Sequence, residues 1–72
     1  MISQPRAHII GLGLIGGSVS LALQSVGWST TGEDLQEVNV TRAIELGIVN
    51  GVDSAGADLF IIATPSQTVH TI

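Results

Sequence analysis

The sequence predicts an α/β fold in which parallel β-strands alternate with α-helices. Short runs of β-branched or apolar residues alternate along the chain with longer segments in which apolar residues recur at helical spacing. The most apolar run, at residues 59–63, carries apolar side chains on both faces, as buried strands of parallel sheets do. This alternation is typical of a parallel sheet whose strands are joined by right-handed helical crossovers.

Residue type and spacing predict the first three elements. Residues 7–10 form a short, isoleucine-containing run that ends at Gly11, which predicts a strand. Residues 15–26 show an apolar stripe of helical period, and Gly27 suits a helix end. The residues of this stripe are Ile15, Val19, Ala22, Leu23 and Val26. A second strand, rich in threonine, is predicted over residues 28–32.

The second half of the chain predicts one helix and two further strands. A helix is expected over residues 35–46, with Asp34 as its N-cap and Gly47 after its last residue. Its predicted inner face includes Val38, Ile44 and Leu46. Residues 48–49 are interpreted as a brief third strand and residues 59–63 as the fourth, which Pro65 ends.

The predicted layering is incomplete. Successive right-handed crossovers place both helices on one side of the sheet, and the link before the last strand is too short for a helix on the other side. We therefore expect the first half of a doubly wound parallel sheet, in the order βαβαβ, with its second half absent. Because so short a chain buries about 60% of its unfolded surface, we expect it to be marginally stable or self-associating.

The composition excludes several classes of protein. Of the 72 residues, 44% are hydrophobic and 11% are charged, which is typical of a folded chain. Without cysteine the chain has neither a disulfide nor a cysteine zinc site, and no other metal-ligand spacing stands out. A net charge of −4 with two basic residues argues against nucleic acid as a partner. His8, a single histidine in the first predicted strand, is expected to be a packed or edge residue rather than a ligand.

An uncharged run at residues 9–32 superficially resembles a membrane segment. Six glycines and several serines and threonines interrupt it where a membrane helix would be continuously apolar. No cleavage site of a signal peptide follows it. We therefore expect no membrane partner and a cytoplasmic location.

One glycine motif carries the chemistry. Residues 11–16 fit the pattern G-x-G-x-x-G, between a predicted strand and a predicted helix, as dinucleotide binding requires. Gly11 permits the tight turn, Gly13 lets a pyrophosphate approach the backbone, and Gly16 lets the helix pack closely on the sheet. The amides of Leu14 and Ile15 are expected to face the phosphates. The motif predicts a Rossmann-type cofactor site in a partial domain spanning residues 1–72, and the alternative is a glycine-rich turn that binds nothing.

Asp34 is the predicted ribose-binding residue. It ends the second predicted strand, 23 residues after Gly11, where a carboxylate accepts hydrogen bonds from the adenosine ribose and repels a 2′-phosphate. The alternative role is a helix N-cap alone, although one residue can serve both purposes. Because the nearest arginine, Arg42, lies two turns into the following helix, NAD is favoured over NADP.

These residues resemble the N-terminal part of prephenate and arogenate dehydrogenases. The similarity extends over nearly all of residues 7–72, and its most specific part is the Leu-Ile-Gly-Gly-Ser block at residues 14–18. It continues through Gly32-x-Asp34 and the Ala-Asp-Leu-Phe-Ile-Ile-Ala-Thr-Pro run at residues 57–65. Glu33 departs from the family, which more often has an aromatic residue there, and this change could alter the adenine pocket.

The resemblance implies an enzyme that oxidises and decarboxylates prephenate or arogenate, with hydride transfer to NAD, on the way to tyrosine. It places Ala63, Thr64 and Pro65 in a loop near the nicotinamide ribose. The family's catalytic histidine and substrate-binding residues lie beyond Ile72, so the segment is expected to contain no catalytic residue and to be inactive alone. The complete protein is expected to add a helical C-terminal domain and to form a homodimer.

Two other functions remain open from the sequence. One is another NAD(P)-dependent oxidoreductase of the β-hydroxyacid dehydrogenase type, which shares the cofactor motif. The other is a dinucleotide-binding module without catalytic activity.

Overall fold

A three-stranded parallel sheet with two helices forms the fold in a computed structural model that describes residues 4–64. The elements, in chain order, are β1 (Arg6–Ile10), α1 (Leu14–Ser25), β2 (Ser29–Glu33), α2 (Glu37–Glu45) and β3 (Leu59–Ile62). The strand order is β2-β1-β3, and both strand pairs are parallel. The predicted α/β class and βαβαβ order are therefore confirmed.

The central strand β1 determines the two faces of the sheet. Ala7 pairs in register with Thr30 on β2 and with Leu59 on β3. Because side chains alternate along a strand, Ala7 and Ile9 point to one face and His8 to the other. Ala7 and Ile9 are buried in a core that also contains Leu12, Ala43 and Val49, so this face is the one that the helices cover.

Helix α1 approaches the sheet through small residues rather than through the predicted apolar stripe. Gly16, Gly17 and Ser20 are its buried residues, whereas Val19 and Leu23 pack at the margin of the core. Three members of the stripe are exposed instead: Ile15, Ala22 and Val26. Larger side chains on the buried face would hold the helix away from the strand end, so the close approach selects glycine and serine there.

Buried polar side chains join α1 to the sheet and to the segment after α2. The Ser20 hydroxyl donates to Thr30 Oγ1 at 2.8 Å, and Gln24 Nε2 donates to the Ile48 carbonyl oxygen at 2.8 Å. Within residues 4–64, every buried side-chain nitrogen and oxygen has a hydrogen-bond partner. A satisfied network of this kind fixes the position of the helix, because displacing it would leave buried polar groups unpaired.

Helix α2 differs from its prediction at its start and on its inner face. It begins at Glu37 with Gln36 as N-cap, so the prediction of Asp34 as the N-cap was wrong. Asp34 instead accepts a hydrogen bond from the Gln36 amide in a turn before the helix. The single buried residue of α2 is Ala43, whereas the predicted inner residues are exposed: Val38, Ile44 and Leu46.

The predicted third strand at residues 48–49 is not a strand, although it lies beside β2. The Asn50 amide donates to the Thr30 carbonyl at 2.7 Å, and the Gly32 amide donates to the Gly51 carbonyl at 3.0 Å. Before these bonds along β2, the Asn50 side-chain oxygen accepts a hydrogen bond from the Thr30 amide at 3.1 Å. A side chain therefore takes the place of a backbone acceptor, and this substitution breaks the regular ladder.

The second face of the sheet carries no helix within residues 4–64. Phe60 and Ile62, which alternate with the core-facing Ile61, are 55% and 74% exposed on β3. Within these residues, helices thus cover one side of the sheet, as the sequence predicts.

The described residues include no helix that is long and apolar enough to cross a membrane.

We expect the 72-residue chain to self-associate through this uncovered face. Burial of one large apolar side chain contributes roughly 1.5–3 kcal/mol, so Ile62→Lys should weaken association clearly. Leu35→Lys introduces the same charge at a fully exposed residue before α2 and serves as the control. Sedimentation velocity over a concentration series measures the effect. A strictly monomeric wild-type chain with a sharp cooperative melt would contradict this expectation.

Candidate functional site

The predicted site residues meet at the carboxyl edge of the sheet. Gly11 follows β1, Asp34 follows β2, and Ala63 follows β3. The Gly11 amide donates to the Glu33 carbonyl at 2.8 Å, and the Ala63 amide donates to the Ile10 carbonyl at 2.8 Å. The three strand ends are therefore joined by backbone hydrogen bonds, with Thr64 exposed beside them. Pro65, the last predicted site residue, lies outside the described residues.

Gly11 and Gly16 hold the turn and the helix against each other. Gly11 has φ +104°, a conformation that favours glycine, and a Cβ there would lie 3.0 Å from the Ala63 carbonyl carbon. A Cβ on Gly16 would overlap the carbonyl oxygen of Gly11. Both glycines are therefore required by close backbone contacts, one with the segment that follows β3 and one with the turn itself.

The start of α1 has the features of an anion-binding site. Its N-cap is Gly13, which provides no capping side chain, and the first turn contains no acidic residue. Within residues 4–64, the amides of Leu14 and Ile15 find no hydrogen-bond acceptor. A Cβ on Gly13 would meet none of the described residues within 4 Å, so the space beside this glycine, at the start of the helix, is open. The helix dipole adds a positive potential at this point.

Asp34 contacts the glycine-rich loop directly. Its Oδ2 accepts a hydrogen bond from the Leu12 amide at 2.7 Å, and its Oδ1 accepts one from the Gln36 amide at 2.7 Å. The half-buried carboxylate thus connects the end of β2 to the loop between Gly11 and Gly13. Sequence spacing predicts the position of this carboxylate, but it does not indicate the bond to Leu12.

Hydrogen bonding controls the ionisation of Asp34. Burial alone would raise the pKa of its carboxyl group. The hydrogen bonds from the Gln36 and Leu12 amides and from the Asn39 side chain outweigh that effect and lower the pKa below its ordinary value of 3.8. The group is therefore a carboxylate at neutral pH and an acceptor for further donors.

Gly32 has a role that the sequence analysis missed. A Cβ at this position would lie 2.6 Å from Leu12 Cδ2 and 3.2 Å from the Ile9 carbonyl oxygen. The missing side chain leaves a notch in β2, and the buried Leu12 side chain fills it. The spacing Gly32-x-Asp34 appears in the sequence, but the partner of the glycine becomes visible in the tertiary structure alone.

Glu33 and His8 form a polar pair on the uncovered face of the sheet. His8 is fully buried; its Nε2 is 2.8 Å from Glu33 Oε1, and its Nδ1 is 2.7 Å from Thr31 Oγ1. In a neutral imidazole, Nε2–H donates to the carboxylate and the Thr31 hydroxyl donates to Nδ1. His8 is thus a packed strand residue, as the sequence predicts. The Glu33 carboxylate is bonded to His8 within the sheet.

Arg42 lies closer to the loop than its place in the sequence indicates. It lines a groove between α1 and α2 together with Gly13, Ser18 and Asn39. Arg42 therefore borders the same groove as the glycine-rich loop.

Within residues 4–64, no three histidine or acidic side chains are grouped so as to hold a metal ion.

Comparison with known proteins does not assign this arrangement to a family. Neither a family model nor a curated protein matches the chain.

We predict that Gly16→Ala destabilises the fold, whereas Gly13→Ala does not. The added methyl group at position 16 collides with backbone, and overpacking of this kind costs about 1–3 kcal/mol. Gly51→Ala is the matched control, because a Cβ there meets nothing within 4 Å. Urea unfolding followed by circular dichroism measures the three stabilities. Equal stability of Gly16→Ala and Gly51→Ala would contradict the close contact.

We also predict a stability contribution from Asp34 that depends on pH. Because folding lowers the pKa of this carboxyl group, its contribution is present above the ordinary value of 3.8 and is lost as the pH falls through the lower, folded value. Asp34→Asn should therefore be less stable than the wild type at pH 7. The difference should shrink below pH ~3.8 in thermal melts, and a constant difference at all pH values would argue against this linkage.

Proposed function

We propose that this chain binds a nicotinamide dinucleotide, preferably NAD, at the carboxyl edge of its sheet. The observation that carries the proposal is the convergence of free helix amides, an open glycine and a carboxylate at the ends of adjacent parallel strands. Such an arrangement suits the Rossmann mode of binding, in which a pyrophosphate lies on a helix N-terminus. The nicotinamide ring supplies the hydride acceptor when it is bound.

The strand order supports the same location. From β1 the chain crosses to β2 on one side, whereas β3 lies on the other side of β1. Ligands of open α/β sheets bind where the connections leave in opposite directions, at the carboxyl ends of the strands. In this sheet the corresponding point lies at the carboxyl ends of β1 and β3, which Gly11 and Ala63 follow.

Each predicted residue has a distinct task in this proposal. The amides of Leu14 and Ile15 donate to the phosphates, and Gly13 leaves room for the phosphates to approach. The carboxylate of Asp34 accepts a hydrogen bond from a hydroxyl group of the adenosine ribose. Ala63 and Thr64 border the nicotinamide ribose, as the resemblance to prephenate dehydrogenases implies.

Preference for NAD follows from the charge beside the ribose. The carboxylate of Asp34 repels a 2′-phosphate, which disfavours NADP. Arg42 is the specific observation in favour of NADP, because this basic residue lines the groove that Gly13 and Asn39 also line. The test is to measure the affinities of the wild type and of Arg42→Ala for NAD and for NADP. Tighter binding of NAD by the wild type supports the proposed preference. Tighter binding of NADP that is lost in Arg42→Ala would reverse the proposed preference.

We further propose that the parent activity is that of a cytoplasmic, dimeric prephenate or arogenate dehydrogenase. The support is the resemblance at residues 14–18, 32–34 and 57–65. The protein encoded by the complete reading frame should reduce NAD with prephenate or arogenate and should not do so with a β-hydroxyacid. Turnover of the β-hydroxyacid would favour the related oxidoreductases, and NAD binding without turnover would favour a non-catalytic module.

We predict that Gly13→Ala weakens NAD binding without loss of stability. A methyl group at this position occupies the space that the phosphates need, and the loss of one charge-assisted hydrogen bond costs roughly 1.5–3 kcal/mol. The expected effect is therefore about 10- to 100-fold in Kd. Isothermal titration with NAD measures it, with Gly51→Ala as the control for glycine replacement. Unchanged affinity in Gly13→Ala would place the phosphates elsewhere.

A further inference from the structure

We propose that Asp34 is a positioning residue that holds the glycine-rich loop in its phosphate-binding form before any ligand arrives. Its effect would extend to the phosphates as well as to the ribose hydroxyls. The ligand part of this inference rests on the proposed dinucleotide function, whereas the positioning itself concerns the free protein.

Two contacts hold Leu12, the residue between the first two glycines of the motif. The Leu12 amide donates to Asp34 Oδ2 at 2.7 Å. The Leu12 side chain is 7% exposed and fills the notch that Gly32 leaves in β2. We call this arrangement of Leu12, Gly32 and Asp34 the Leu12 latch.

The carboxylate is itself held in place. Its second oxygen, Oδ1, accepts a hydrogen bond from the Gln36 amide at 2.7 Å, so backbone donors orient both oxygens. Charge-assisted bonds of this length are stronger than neutral ones. The carboxylate is therefore a fixed point directly after β2 to which the loop is attached, rather than a free side chain awaiting a ribose.

The latch acts on the phosphate site through chain connectivity. One residue, Gly13, separates Leu12 from the free amides of Leu14 and Ile15. Gly13 has no side chain to restrict its backbone, so the neighbouring Leu12 must supply the restraint. A loop that is ordered before binding avoids the entropic cost of ordering on binding, which favours the ligand.

The first experiment tests the latch in the free wild-type protein. Backbone amide protons that donate to a carboxylate change their NMR shifts when that carboxylate is protonated. The Leu12 and Gln36 amide protons should therefore titrate together with the carboxyl carbon of Asp34. A Leu12 amide that does not follow this titration would overturn the latch, and this measurement requires no variant to fold.

A pair of variants extends this test. Asp34→Asn should speed hydrogen exchange at the Leu12 amide relative to the Ala63 amide, which is bonded to the Ile10 carbonyl oxygen. Asp53→Asn is the matched control: Asp53 Oδ1 also accepts an amide two residues ahead, from Ala55 at 2.9 Å, but it does not bond to Leu12. Equal Leu12 exchange in both variants would overturn the latch.

The second experiment separates loop positioning from ribose binding. ADP and 2′,3′-dideoxy-ADP carry the same phosphates, but the second lacks both ribose hydroxyls. If Asp34 positions the loop, Asp34→Asn weakens binding of the dideoxy probe as well, by about tenfold. If Asp34 acts on the ribose alone, the variant loses affinity for ADP and keeps its affinity for the dideoxy probe, which would overturn the inference.

The two proposals fail in distinguishable ways. A folded wild-type chain that binds neither ADP nor NAD overturns the dinucleotide function and, with it, the effect of Asp34 on phosphate affinity. The amide titration of the free protein still decides whether the latch exists. Loss of the latch with retained NAD binding would leave the proposed function intact and return Asp34 to a role at the ribose.

Discussion

The close contact between the start of α1 and the end of β1 is the constraint on which the rest of the structure depends. At Gly16 the helix comes so near the Gly11 carbonyl that no side chain fits between them. This contact fixes where the helix begins, and it directs the helix N-terminus toward the ends of the strands. The first-turn amides of Leu14 and Ile15, which have no acceptor within residues 4–64, and the open space at Gly13 are consequences of that placement.

The same closeness explains the unusual composition of the buried helix face. Gly16, Gly17 and Ser20 bury little apolar surface, so hydrogen bonds supply part of the attachment. Ser20 and Gln24 bond to Thr30 and to the Ile48 carbonyl, and in this way the segment after α2 is joined to α1. Larger apolar residues are displaced to the outer surface of the helix, where Ile15 is 71% exposed.

Asp34 shows how one residue can connect local structure and function. Spacing after the glycine motif indicates a ribose-binding acid, and a helix N-cap is the simplest structural alternative. In the structure the carboxylate neither caps the helix nor is free of partners. The backbone amides of Leu12 and Gln36 both donate hydrogen bonds to it. That arrangement couples β2 to the loop after β1, and such a coupling between distant residues leaves no periodic signal in a sequence.

The sequence by itself determined the alternation of strands and helices, the position of the glycine-rich turn and the acid that follows β2. These features depend on local chemistry: helical or strand periodicity, the backbone freedom of Gly11 and the spacing of the motif. Only the tertiary structure decided which side of α1 is buried, that residues 48–49 form no strand, and that Gly32 receives Leu12. Such outcomes depend on distances between segments far apart in the chain, and local periodicity carries no information about these distances.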